Sequence, residues 1–117
     1  MINQHKNYKE IDNIVVLHAE NYINKVEGEN LEKVCDAFLA KGTYKFVIDF
    51  SGTDIINSIG ISILIGIIEK IRDKKGLVLF SGLTKVNHDI FNIVGLTKHF
   101  PLLKTEEDAV YRIKTGQ

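Results

Sequence analysis

The chain has 117 residues, 44% of them hydrophobic and 26% charged, which fits one soluble globular domain whose core needs neither a disulfide nor a structural metal. Its 15 basic and 15 acidic residues cancel, so it carries no electrostatic footprint for nucleic acid or an anionic membrane surface. The single cysteine, Cys35, excludes an internal disulfide and a CxxC pair and fits a reducing, cytoplasmic setting.

The polar start, MINQHKNYKEID, lacks the basic-then-apolar build of a signal peptide. Asn13-Ile-Val-Val-Leu17 is a β-branched run and predicts a strand. From Glu29 to Leu39, Leu31, Val34, Cys35, Phe38 and Leu39 recur at helical spacing, predicting an amphipathic helix closed by Gly42. Lys45 to Phe50 is a continuous apolar run ending in the turn Ser51-Gly52-Thr53-Asp54, the pattern of a central strand buried on both faces. A long helix is expected from Ser58 to Lys75, apolar first and charged later, stopping at Gly76. The apolar stretch Ile55 to Ile68 is interrupted by Asn57, Ser58, Ser62 and two glycines and falls short of the ~20 residues a membrane span needs.

Leu77 to Phe80 reads as another buried strand. Thr84 then caps a helix running through Val86, Ile90, Phe91 and Val94 to Gly95. Phe100-Pro-Leu-Leu103 predicts a short edge strand, where Pro101 removes no needed ladder bond. Thr105 caps a last helix with Glu106, Glu107 and Asp108 in its first turn and Ala109, Val110 and Ile113 inside. Strands alternating with helices predict an α/β layer fold around a mostly parallel sheet.

Motifs for catalysis are scarce. No phosphate loop, GxSxG, HExxH or GxGxxG occurs. His5, His18, His88 and His99 are scattered, with no pair spaced to share a helix face, so no metal site is expected. Cys35 lies on an apolar helical stripe and reads as a small buried hydrophobe. Asp49 and Asp54 bracket a turn, and turn formation explains them more simply than acid–base work.

Ser58 is the informative residue, because it stands where strand and turn give way to an apolar helix. Backbone N–H groups at a helix start are unpaired and favour negative charge. A plain N-cap would contribute about 1 kcal/mol, yet Asn57 beside it is also a good cap. Gly60, at a cost of about 1 kcal/mol of helix propensity, implies close approach of another backbone or of a partner.

The run VIDFSGTDIINSIGISILIG resembles the signature of STAS domains in bacterial anti-sigma factor antagonists, in which a strand ending Asp-x-Ser leads to Asp-Ser-Ser/Thr-Gly-Leu/Ile-Gly at a helix start. The similarity extends through Leu31 and its helix, Asp49, Gly52 and LVLFSGLTKVNHDIFNIVGLTKHFPLLKTEEDAV. Asn57 stands where the family has Asp, Ile59 where it has a second small hydroxyl residue, and Ser62 where it has Gly or Ala. Asn24 ends an Asn-Tyr-Ile-Asn turn that replaces the family's Gly-x-Leu/Ile-Asp.

The resemblance implies that residues 1–117 are a single STAS domain: a mixed, mostly parallel sheet of four to five strands with about four helices packed mainly on one side. It implies a non-enzymatic regulator without cofactors, cytoplasmic, a monomer or weak homodimer, with no direct contact to nucleic acid or membrane. Ser58 aligns with the serine phosphorylated by the cognate anti-sigma factor serine kinase, and a PP2C-type phosphatase would reverse the modification. Asn24, Asp54, Asn57, Ser58, Ile59, Gly60 and Ser62 are the expected partner-binding residues. Other readings are a STAS scaffold or ligand-responsive domain that is never phosphorylated, a regulatory domain acting on a transporter, and a small α/β enzyme using Asp49, Asp54 or His18.

Overall fold

A computed structural model describes residues 7–97 and 101–116; His5, His99 and Phe100 lie outside the described residues. In chain order the elements are β1 (Tyr8–Ile11), β2 (Ile14–His18), β3 (Tyr22–Ile23), α1 (Lys25–Ala40), β4 (Lys45–Asp49), β5 (Ile55–Ile56), α2 (Ser58–Asp73), β6 (Leu77–Ser81), α3 (Lys85–Ile93), β7 (Leu102–Leu103) and α4 (Glu106–Thr115). The main sheet has the order β1-β2-β4-β6-β7, with β1 antiparallel and the others parallel. A separate ribbon pairs β3 with β5 in parallel. The mixed, mostly parallel sheet with four helices is the architecture expected from the sequence.

Alternation along the strands assigns the two faces. Val15, Leu17, Phe46, Ile48, Val78 and Phe80 meet the buried stripes of α1, α2 and α3 in the larger core. Ile14, Val16, Val47 and Leu79 meet Ala109, Val110 and Ile113 of α4 in a smaller one. Covering both faces explains why these strands read as unbroken apolar runs. Phe50, Phe80 and Phe91 stack edge-to-face, with centroids 5.4–5.9 Å apart, locking α3 to the strand ends.

Several boundaries differ from expectation. Strand β1 is polar, so alternation did not mark it; its backbone bonds make the edge, and Asp12 turns the chain in the left-handed region at φ 56°. Helix α1 begins at Lys25 rather than Glu29, because Asn24 caps it. After α2 the left-handed residue is Lys75, at φ 59°, not Gly76. Gly76 is required for space, since a Cβ there would lie 2.4 Å from the Tyr44 carbonyl oxygen. Val86 and Val94 are exposed, and Asn87 and Phe91 supply the buried side of α3.

Candidate functional site

Two segments, one after each strand of the small ribbon, build the site. Tyr22 pairs with Ile55 and Ile23 with Ile56, so the next residues, Asn24 and Asn57, lead side by side into α1 and α2. Each caps its helix: Asn24 Oδ1 accepts from the Glu27 N–H at 3.0 Å, and Asn57 Oδ1 accepts from the Gly60 N–H at 2.8 Å. The ribbon is tied to α2 further by the Asn57 N–H, which donates to the Ile23 carbonyl at 3.1 Å. Asn57 Nδ2 also donates to the Tyr22 hydroxyl at 3.1 Å.

Capping by Asn57 changes the standing of Ser58. Ser58 is the first residue of α2, not its cap. Its side chain is exposed, and among the described residues its hydroxyl has no hydrogen-bond partner. The first turn of α2 holds no acidic residue, while Lys70 and Arg72 lie in its last turn, so the positive end of the helix dipole is uncompensated. Ser62 is exposed one turn further along the same face. Ile59 is 53% exposed beside it.

Gly60 is buried, and a Cβ there would lie 2.4 Å from the Ile23 carbonyl oxygen. The close approach inferred from its presence is therefore met by this chain's own ribbon. Asp54 is exposed, and its carboxylate accepts from Asn21 Nδ2 at 3.3 Å while its N–H donates to the Asn21 carbonyl at 2.8 Å. The preceding turn is pinned by Thr53 Oγ1 donating to the Glu20 carbonyl at 2.7 Å. From α3, Asn87 Nδ2 donates to the carbonyls of Thr53 and Asp54, both at 3.3 Å.

Asp49 lies apart from this surface. It is 5% exposed, accepting from Ser81 Oγ at 2.7 Å on one oxygen and from the Ser51 N–H and hydroxyl on the other. Those bonds make it the anchor of a turn. Cys35 is fully buried, and burial drives its thiol well above the ordinary range, which removes the thiolate a nucleophile needs.

Two exposed residues join the surface without having been singled out from sequence: Tyr22, 46% exposed, and Ile55, 57% exposed. Their pairing brings distant segments together. Each strand ends in an Ile-Asn step, Ile23-Asn24 and Ile56-Asn57, but the same step occurs at Ile2-Asn3, so it does not by itself signal the pairing.

The family model of the STAS domain matches residues 5–109. The chain belongs to the STAS domain family. BtrV of Bordetella bronchiseptica, whose name describes an anti-sigma factor antagonist, is 26% identical over 106 residues, covering 91% of each chain. A solved anti-sigma factor antagonist from Mycobacterium paratuberculosis is 28% identical, with a TM-score of 0.74 over 92% of this STAS chain and 91% of that one. SpoIIAA in its unphosphorylated form shares the fold at a TM-score of 0.81 and 14% identity, over 92% and 95% of the two chains.

Proposed function

We propose that this STAS domain, residues 1–117, is a cytoplasmic anti-sigma factor antagonist that binds an anti-sigma factor of the serine-kinase type and is switched off by phosphorylation of Ser58. The observation carrying the proposal is the exposed, unpartnered Ser58 hydroxyl at a helix start already capped by Asn57. The relatives named as anti-sigma factor antagonists, and the SpoIIAA fold solved in both phosphorylated and unphosphorylated forms, support it.

Unphosphorylated, the surface of Tyr22, Asp54, Ile55, Asn57, Ser58, Ile59 and Ser62, with Asn24 at its border, meets the partner. Exposed apolar Tyr22, Ile55 and Ile59 supply area, and the polar residues between them set register. Phosphorylation adds roughly −1.5 to −2 charges. The N-terminal dipole of α2 tolerates that charge in the free protein, but a desolvated interface does not. Loss of only about 3 kcal/mol weakens binding more than a hundredfold. A PP2C-type phosphatase restores the binding form.

The test uses the cognate kinase with ATP. One phosphate is expected by intact mass on the wild-type chain and none on Ser58→Ala; Ser58→Ala binds the kinase constitutively and Ser58→Asp loses it. Equal binding by both variants would sink the proposal. A second reading, a STAS scaffold never phosphorylated, is favoured by Asn57 and Ile59, where the family has an acid and a small hydroxyl residue. An unchanged mass after incubation, with binding retained, would support it. An enzymatic reading using Asp49, Asp54 or His18 is disfavoured because Asp54 is engaged in holding a turn, Asp49 is held by Ser51 and Ser81, and His18 is paired with Glu106.

A further inference from the structure

The strand register brings together residues that helical spacing does not. His18, Asp49 and Ser81 close β2, β4 and β6 and are successive register partners, so their side chains project from one face of the sheet, the face covered by α4. Glu106, the first residue of α4, lies over them. Imidazole and carboxylate ligand atoms of His18, Asp49 and Glu106 all lie within 4.8 Å of one another. Ligands bound to one ion at about 2.0–2.2 Å stand closer than that outer limit, while His18 Nε2 and Glu106 Oε1 are already in direct contact, so an ion enters by parting that pair and drawing the wider contacts in through side-chain rotation.

The surroundings match what a metal ligand needs. Asp49 is 5% exposed, and the Ser51 and Ser81 hydroxyls fix the direction of its carboxylate, the support expected of outer-shell groups. Each ligand stands on a strand end or a helix start, not on a loose loop. Two carboxylates and a neutral imidazole carry two negative charges. Lys9 offsets them by pairing with Glu106, while His18 Nε2 meets the other Glu106 oxygen. The Lys9 side chain is 48% exposed, so its ammonium can swing into water and vacate the position.

We propose that His18, Asp49 and Glu106 bind a first-row divalent transition-metal ion, Zn2+ in the first instance, which clips the start of α4 to the C-terminal edge of the sheet. One nitrogen and two carboxylate oxygens suit such an ion, with water in the fourth position, better than they suit Ca2+ or Mg2+, which prefer all-oxygen shells. The site is separate from the Ser58 surface, so the proposal stands or falls independently of partner binding.

The test is calorimetric titration of the tag-free chain with Zn2+, paired with thermal melts. Saturable 1:1 binding is expected, and Zn2+ at about a hundredfold over Kd should raise the melting midpoint by on the order of 10 °C. His18→Ala and Glu106→Gln, each checked for folding by circular dichroism, should weaken binding at least about tenfold. His88→Ala should leave it unchanged. Lys9→Gln separates a metal site from a mere ion-pair network, because removing the competing ammonium should tighten Zn2+ binding. Absence of saturable binding, binding indifferent to His18→Ala, or binding not tightened by Lys9→Gln would each overturn the proposal.

Discussion

The starts of α1 and α2 are built alike and equipped differently. Both follow a strand of the same two-stranded ribbon, and both are capped by an asparagine that accepts from the N–H three residues on. At the third helical position they part: α1 has Glu27, whose carboxylate accepts from the Glu20 N–H at 3.0 Å, whereas α2 has Gly60. At the first position α1 has Lys25 and α2 has Ser58. The α1 start is thus supplied with its own anion and closed upon the chain. The α2 start is left with an exposed hydroxyl and no acid, which is what a site for added negative charge requires.

The largest effect that could break this comparison is steric. Gly60→Ala would put a Cβ 2.4 Å from the Ile23 carbonyl oxygen, and backbone must shift to accept it. A loss of about 2–3 kcal/mol is expected in urea unfolding. Wild-type stability in that variant would mean that ribbon and helix are not rigidly joined. Next come the caps: Asn24→Ala and Asn57→Ala should each cost about 1 kcal/mol. A much smaller loss at Asn57 would return the capping role to Ser58. Gly66→Ala has the opposite sign, because nothing lies within 4 Å of its added Cβ, and should gain about 0.5–1 kcal/mol of helix propensity.

How far these features were legible in the sequence follows from where their partners lie. Strands β2, β4 and β6 were legible because burial on both faces leaves unbroken apolar runs, and α3 and α4 because Thr84 and Thr105 precede their periodic stretches. The ribbon was not, since two residues per strand carry no period and its bonds join segments remote in sequence. Missing the ribbon meant missing the true start of α1 at Lys25, the role of Asn24, and the place of Tyr22 and Ile55. Ser58, Asn57 and Asp54 were legible as polar residues around a helix start. Which of them was spoken for depended on hydrogen bonds that only the fold supplies. The meeting of His18 with Asp49 and Glu106 was hidden for the same reason, because cross-strand register has no sequence spacing.

A smaller effect concerns the anion at the α1 start. Burial pushes the Glu27 carboxyl above its ordinary range, and the bond from the Glu20 N–H only partly opposes this. A carboxyl raised in the folded state gives stability that is full below the unfolded pKa and is lost as pH rises through the folded one. Ionised Glu27 is thus a cost near neutrality. Glu27→Gln, which keeps an oxygen for the Glu20 N–H, should be at least as stable as wild type at pH 7. Melts toward pH 4 should shift the difference in favour of wild type. A variant much weaker at pH 7 would show that the ionised form holds the α1 start.

Ser58 should give the smallest change in stability, and that smallness is the sharpest form of the comparison. A side chain that is exposed and unpartnered among the described residues contributes little to folding, so Ser58→Ala should stay within about 0.5 kcal/mol of wild type. Ser58→Asp adds charge where the α2 dipole is uncompensated, and should raise stability by about 0.3–1 kcal/mol at low salt, fading as salt screens it. The same substitution at Lys25 would place a carboxylate near Glu27, and repulsion should cancel much of the dipole gain. If Ser58→Asp instead destabilised the free chain, the charge that is proposed to block a partner would also strain the protein bearing it, and the asymmetry between the two helix starts would no longer support the switch proposed at Ser58.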